Sequence, residues 1–493
     1  MPISGLLSYD PAGALKRVTD DMGQDWIKDP IYRSDQIKRL QEDPDRLTEN
    51  LDPNYQPRRG RPVPVPKTSI AIRPAVDLRL ADRVAYQVLV DTFAFERINS
   101  LPAFVRGWRY KLNPTQPADL LDNALEWRNY QDLLDAQWEE GCDHILVTDI
   151  AGFFQNISHR HLRDALKGID PDVESRLFHY LRTWRPSGQG LPQRVLGSSL
   201  LANAYLRTID EILGDYRSVR WMDDIAVFCS SRTEGVRAML TIQEALHKLD
   251  LYANEAKTKL VPFDEAENLI IDFRRREIEY LLSIGDRENK GSQGLSDIWS
   301  QIVDKPQFAD RTAFSFCVTK FAEYPHDDAT EEILGAMDRL PHVADHASRY
   351  LRTQLQESPE LLDRVSSFVV GDGNLFPWQE YRLASLFWHA PSLNEGHLEF
   401  IRNRIGDRNG YWAARTVYLR ALGKHGNDSD LRVMKDQAET EADLELLRGL
   451  LIGAIEAGAS KAHAKVMARG EPELGHLVSY LDNRGWTLPP LSF

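Results

Sequence analysis

Apolar positions recur at helical spacing from Leu80 to Ile98, where Leu80, Val84, Val88, Leu89 and Phe93 share a face, so the pattern predicts a long amphipathic helix. The period then changes. His144 to Asp149 is a short run rich in β-branched residues that ends in an acid, which predicts a strand. Val219-Arg-Trp221 and Ile225-Ala-Val-Phe228 are two apolar runs joined by an acidic turn, the pattern of a hairpin. Ser158 stands where an N-cap would open a helix reaching Lys167, and Ser198 to Leu213, Thr233 to Leu249 and Asp264 to Leu282 carry helical patterns. Ser283 to Asp297, rich in Gly, Asp, Asn, Lys and Ser, predicts a linker. Ahead of these, residues 1–57 mix short helical patterns with Asp-Pro breaks, and the Pro-rich run Arg58 to Lys67 predicts an extended segment.

Beyond the linker the strand signal vanishes. Tyr381 to Ala390, Tyr411 to Gly426 and Leu444 to Gly458 look like related helical units, with Ala421-Leu-Gly-Lys-His-Gly echoed by Ala454-Ile-Glu-Ala-Gly about 33 residues later. A helical period in the range of roughly 30–45 residues predicts an α-solenoid of the HEAT type, with an irregular helical domain as the alternative. The chain of 493 residues has room for two to four domains at roughly 100–200 residues each. The pattern divides it into an N-terminal extension at 1–57, a mixed α/β region at 58–235, further helices at 236–290 and a helical repeat domain at 291–493.

Hydrophobic residues make up 42% and charged residues 27%, a balance that excludes wholesale disorder. The most apolar stretches, Ile145 to Phe154 and Leu446 to Ala457, are shorter than the roughly 18 residues of a membrane span and contain charges, so no membrane crossing is expected. The N-terminus lacks a basic region followed by an apolar stretch, and Cys142, Cys229 and Cys317 cannot form a disulfide framework; a reducing cytoplasm is the expected location. The net charge of −14 argues against a protein coated in nucleic acid but leaves room for a basic channel in an acidic body. Such a local excess exists: Arg58, Arg59, Arg61, Lys67, Arg73, Arg79 and Arg83 stand against Asp77 and Asp82. Phe104-Val-Arg-Gly-Trp-Arg-Tyr-Lys111 then interleaves aromatics with positive charge, the mix that stacks bases and neutralises phosphates. On composition alone a solvated charged face is an equal alternative.

Three acids carry the candidate chemistry: Asp149 at a strand end, and Asp223 and Asp224 between two apolar runs. An Asp-Asp pair by itself is weak, because acidic turns are usually just solvated. Carboxylates on adjacent strands, however, converge on hard divalent cations, and two such ions gripping an attacking hydroxyl and a leaving pyrophosphate oxygen catalyse nucleotidyl transfer by in-line displacement.

The words around those acids resemble a known family. Asp149-Ile-Ala-Gly-Phe-Phe-Gln-Asn-Ile resembles motif A of reverse transcriptases, and Gly190-Leu-Pro-Gln followed by Ser198-Ser-Leu-Leu-Ala-Asn-Ala-Tyr-Leu resembles motif B. Trp221-Met-Asp-Asp-Ile-Ala-Val-Phe resembles motif C, and Leu249-Asp-Leu-Tyr-Ala-Asn-Glu-Ala-Lys-Thr motif D. Upstream, Pro66-Lys67, Arg73-Pro74 and Asp82-Arg83-Val84 keep the fingers spacing of group II intron and related bacterial enzymes. The order and spacing agree over Pro66 to Thr258.

The resemblance implies an α/β plus all-α fold: a fingers-palm-thumb right hand, with fingers and palm at 58–235 and thumb-like helices at 236–290, followed by a HEAT-like α-helical repeat domain. It also implies roles. Asp149 and Asp223 would hold two Mg2+ ions, with Mn2+ as an alternative, the Ile150 carbonyl would be a further ligand, and Asp224 a weaker or orienting acid. Phe154 would be the aromatic gate under the sugar, where a ring clashes with a 2′-hydroxyl and favours dNTPs; Phe153 already supplies an inward ring, which disfavours a plain core role for Phe154. Gln193 would contact the incoming nucleotide and Lys67 and Arg73 its triphosphate. Lys257 would protonate or steady the pyrophosphate, unless it is a surface charge.

Departures matter too. Arg194 stands where the family commonly has Gly, so a long cation would project near the template or nucleotide. Trp221 replaces the usual Tyr or Phe, placing extra bulk at the primer terminus. No maturase, endonuclease or zinc-ligand cluster follows the thumb, which counts against an intact group II intron protein, and no retron signature is recognised. A reverse transcriptase followed by a helical half resembles the bacterial abortive-infection and defence-associated enzymes. That implies antiphage defence, cytoplasmic oligomers, and in some members DNA made without template on a protein hydroxyl, for which Tyr9, Tyr32 and Tyr55 in the extension are the candidates. The expected partners are dNTPs, a single-stranded DNA product, RNA and further copies of the chain. The alternatives are an RNA-templated enzyme copying a dedicated noncoding RNA, and an inactive polymerase fold serving as a nucleic-acid-binding scaffold.

Overall fold

Two apolar periods, one of strands and one of helices, sort the chain into a mixed sheet and a large helical array. In this computed structural model residues 10–43, 46–267, 269, 272–286, 289–358 and 360–491 are described. Strands β1 (Arg61–Pro66) and β2 (Ile72–Asp77) form a small sheet. Strands β3 (Val105–Arg106), β4 (His144–Asp149), β5 (Arg217–Trp221), β6 (Asp224–Cys229) and β7 (Lys259–Pro262) form a second sheet in the order β3-β5-β6-β4-β7. The central strands β4 and β6 run antiparallel in a register that puts Asp149 opposite Asp224, and β5 and β6 are the expected hairpin. Ile145, Val219, Ala226, Phe228 and Leu134 of helix Asn123–Glu139 form the core on one side of this sheet.

By its internal contacts the chain divides into two compact units, the first comprising residues 1–25, 40–61 and 76–277, the second residues 26–39, 62–75 and 278–493. Segments of the first 75 residues are thus shared between the two.

In the first unit, helix Leu80–Ile98 has the bounds its periodicity predicts and is buried on nearly every side. Its buried charged residues, Asp82, Arg83 and Asp91, are each paired, as burial requires. Asp82 accepts from Asn50, Tyr55 and the Arg58 amide. Arg83 binds Asp21 and Asp25, and Asp91 binds Arg17. The helix packs on helix Leu196–Tyr205, where Gly197 admits the Tyr86 ring: a Cβ there would lie 2.9 Å from it.

In the second unit, helices Pro377–His389, Trp412–His425 and Leu444–Glu456 stack in sequence, with Leu361–Val370, Glu395–Gly406 and Asp428–Thr440 packed beside them. Two glycines, Gly423 and Gly453, explain a close approach here. A Cβ on Gly423 would fall 2.2 Å from the Gly453 carbonyl, so only glycine allows these two helices to touch backbone to backbone. The segment 26–39 belongs to this core: Trp378 donates to the Trp26 carbonyl at 2.9 Å, and buried Arg448 grips Asp29 at 2.7 Å and Asp35 at 2.6 Å.

Three expected elements differ. The helix read from Ser198 to Leu213 is two, Leu196–Tyr205 and Arg207–Leu213, broken at Leu206. In the segment read as a helix from Asp264 to Leu282, Phe263–Glu265 is a single 3-10 turn and the helix runs Phe273–Ser283. Helix Lys290–Asp304 begins inside the segment expected to be a linker, because Leu295, Trp299 and Ile302 bury one face of it.

Candidate active site

Each acid is placed by a different constraint. Asp149 ends β4, whose β-branched alternation makes a strand, and the β4–β6 register sets it against Asp224. Asp223 lies in the β5–β6 turn, where Met222 adopts a left-handed φ of 53° and carries the chain round in two residues. The segment after helix Arg232–Lys248 folds back on β4: the Ala151 amide donates to the Tyr252 carbonyl, and the Asn254 amide to the Asp149 carbonyl at 2.7 Å. Thr148 and Thr258 hydroxyls meet at 2.8 Å. Asn254 Nδ2 then donates to Asp149 Oδ1 at 2.8 Å, and Lys257 Nζ lies 2.6 Å from Asp149 Oδ2. A cleft of about 340 Å³ opens here, lined among others by Asp149, Asp224, Lys257, Lys259, Tyr130 and Val147.

The electrostatics follow from crowding like charges. Burial, then the charges of Asp224 and Asp149, push the Asp223 carboxyl up to about 7. Burial, opposed by Lys257 and reinforced by Asp149, raises Asp224. For Lys257 burial pulls the ammonium down, but the Asp149 hydrogen bond and the three carboxylates outweigh it and keep the side chain charged. An acid cluster of this kind, with oxygen donors only, has the chemistry of a hard divalent cation site. Among the described residues no group of three His, Cys, Asp or Glu side chains stands close enough to enclose a metal, with Asp149 gripped by Asn254 and Lys257. Ile150, the expected carbonyl ligand, is buried directly after Asp149.

The other expected residues are distributed as follows. Phe153 is buried while Phe154 is only half-buried, their rings meeting edge to face at 5.5 Å. Gly190 brings the second motif onto the first: at φ 88° its amide donates to the Ile157 carbonyl, the Leu191 amide donates to the Phe154 carbonyl, and a Cβ would lie 3.0 Å from the Gln155 carbonyl. Gln193 is half-buried in the turn before helix Leu196–Tyr205. Arg194, expected to project toward template or nucleotide, donates to the Gln24 carbonyl at 2.9 Å. Lys67 is exposed and Arg73 lies over the Trp26 ring at 5.3 Å; both belong to the second unit. Tyr55 donates to Asp82 at 2.6 Å, and burial, then that hydrogen bond and charge, raise its phenol above the usual range. Tyr32 is half-buried against the core of the second unit, and Tyr9 lies outside the described residues.

Sequence reasoning missed several neighbours. Asn254 was within the fourth motif, yet its grip on Asp149 spans 105 residues and leaves no local trace. Trp221 sits in an aromatic cluster, 4.9 Å from Trp127, 5.5 Å from Tyr130 and 5.6 Å from Trp108, with Gly107 against its ring. The tryptophan-rich composition between residues 108 and 138 was the available signal.

Residues 65–282 match the family model described as "Reverse transcriptase (RNA-dependent DNA polymerase)". This stretch is a reverse transcriptase domain, and the protein is an RNA-directed DNA polymerase. Among solved structures the chain is similar to apo telomerase from Candida Tropicalis, at 10% identity and a TM-score of 0.31, over 81% of this chain and 70% of that one. None of the curated proteins matches the chain. Domains of this family use divalent metals and bind nucleic acid and nucleotides. Among the described residues no helix is long and apolar enough to cross a membrane.

Proposed function

We propose that this polymerase builds DNA from dNTPs by two-metal nucleotidyl transfer at Asp149, Asp223 and Asp224, and that it serves antiphage defence in the manner of abortive-infection enzymes. The observation that carries the catalytic part is the register of Asp149 against Asp224 with Asp223 in the adjoining turn, inside the stretch that matches the family. Mg2+ at these carboxylates and the Ile150 carbonyl would supply charge for the attacking hydroxyl and the leaving pyrophosphate. The protein's own groups do the rest. Lys257, kept charged by its neighbours, would steady the pyrophosphate; half-buried Phe154 screens the sugar, and Gln193 meets the nucleotide.

The defence role is supported by the arrangement of the chain. Residues 291–493 follow the polymerase as stacked helix pairs, which we read as a HEAT-like repeat domain after thumb-like helices at 236–290; such arrays offer extended surfaces for self-association or partner capture and nothing for phosphoryl chemistry. Template-free synthesis on a protein hydroxyl is part of the proposal. Tyr55 ranks last among its candidates, because a phenol held protonated and bonded to Asp82 is a poor nucleophile.

Purified protein incubated in Mg2+ with each dNTP, with and without RNA template, tests the reading. DNA formed without template that migrates with the protein in a denaturing gel supports the full proposal. Template-dependent free DNA would mark a conventional RNA-copying enzyme, and no incorporation under any condition would mark a scaffold.

A further inference from the structure

Arg220 is fully buried, in the middle of an otherwise apolar run of β5. Its fork spends four contacts. Nε and Nη2 pair with the two oxygens of buried Asp210 at 2.6 and 2.8 Å, while Nη1 donates to Asn203 Oδ1 at 3.3 Å and to the Met222 carbonyl at 2.8 Å. Asn203 is itself fully buried and donates to the Gly107 carbonyl at 3.0 Å. Stability alone gives little reason to keep such an ion pair, since apolar residues of similar volume often serve a core as well. One contact is different in kind. Met222 is a non-glycine residue at φ 53°, a conformation disfavoured by its Cβ, and it immediately precedes Asp223. Its carbonyl is the atom the guanidinium holds.

We propose that Arg220 is a positioning residue for nucleotidyl transfer: its guanidinium, oriented by Asp210 and Asn203, holds the Met222 carbonyl and thereby fixes the left-handed turn that presents Asp223. The proposal rests on the reading of Asp223 as a site carboxylate. Asn203 comes from the second motif's helix, Leu196–Tyr205, and Asp210 from the helix that follows it, Arg207–Leu213, so these two helices set the geometry of the third motif's turn. A planar fork is needed because carboxylate and carbonyl must be engaged at once; the single ammonium of a lysine cannot span both.

The test is Arg220→Lys, alone and combined with Met222→Gly, since glycine adopts the left-handed conformation without restraint. Incorporation of dNTP in Mg2+ gives kcat and KM, and amide exchange reports the turn at residues 222–224. The expected result for Arg220→Lys is a folded protein whose turn amides exchange roughly tenfold faster. Its kcat should fall by about 100-fold while KM moves by less than about threefold. Met222→Gly in that background should recover about tenfold of kcat. A lower melting temperature with unchanged exchange and kcat would make Arg220 a structural prop and overturn the proposal, as would failure of Met222→Gly to recover activity. If Arg220→Lys does not fold, the isosteric Asp210→Asn takes its place with the same expectations in direction, and unchanged kcat there is equally fatal. Asp223→Asn is run alongside. Full activity of that variant removes the catalytic reading of the turn, while the exchange data still judge whether Arg220 holds it.

Discussion

Asn254→Ala isolates one bond at the centre of the candidate site. The Asn254 backbone amide would still donate to the Asp149 carbonyl, so the fold-back of the segment survives, but the 2.8 Å bond from Nδ2 to Asp149 Oδ1 is lost. Asp149 is only 8% exposed, so water compensates little. A hydrogen bond to a charged group contributes about 1.5–3 kcal/mol. If that holds Asp149 in the geometry needed at the transition state, kcat falls by about 10- to 150-fold at 1.36 kcal/mol per decade. With Lys257 as the remaining side-chain contact, the carboxylate swings about one point, and the Mg2+ concentration for half-maximal rate rises. Single-turnover dNTP incorporation across a Mg2+ series measures both quantities, with thermal melting as a control for folding. Asn254→Asp, which sets a carboxylate against Asp149, should lose more. Rates within twofold of the parent at every Mg2+ concentration would refute the idea that Asn254 orients Asp149.

Asp223→Asn should abolish incorporation without lowering the melting temperature, because it removes a charge that burial and Asp224 disfavour; incorporation at the parental rate in Mg2+ would end the two-metal reading. Phe154→Val should lower the ratio of dNTP to rNTP incorporation, and an unchanged ratio would show that the half-buried ring is not the sugar gate. Asp91 is pushed up to about 6, burial outweighing its pairing with Arg17, so the native state binds its proton more tightly than the unfolded chain does. Its contribution is therefore present below about pH 4 and is lost as pH rises through about 6, by at most about 1.4 kcal/mol per pH unit. Denaturant unfolding of the parent and Asp91→Asn across this range should show a steeper decline in the parent, and parallel curves would contradict the assignment.

Elements governed by their own periodicity were legible: β4 and helix Leu80–Ile98 have the bounds that their residues predict. Errors arose where burial at a distance decided the outcome. Ala266 is drawn fully into the core with Ile145 and Phe228, which takes its neighbourhood out of the expected helix. The Gly- and Ser-rich start of helix Lys290–Asp304 is instead held by Asp286, whose carboxylate accepts from the Gly291 and Ser292 amides at 2.7 and 2.8 Å. The acids of the candidate site could be singled out in the sequence because they sit in words with fixed neighbours. Arg220, Asn203 and Asn254 were not assigned roles, since what distinguishes them is a partner rather than a residue type.

The grip of Arg448 on Asp29 and Asp35 has a consequence for how the chain is made. The partners lie 419 and 413 residues apart, so at about 5–20 residues per second a ribosome releases the two acids roughly 20–80 s before the arginine that will neutralise them. Segment 26–39 must therefore wait without its partner until the last helices emerge. The second unit can close only after synthesis is nearly complete, and a ribosome that stalls in the C-terminal third leaves Trp26 and Ile31 uncovered as targets for chaperones and proteases.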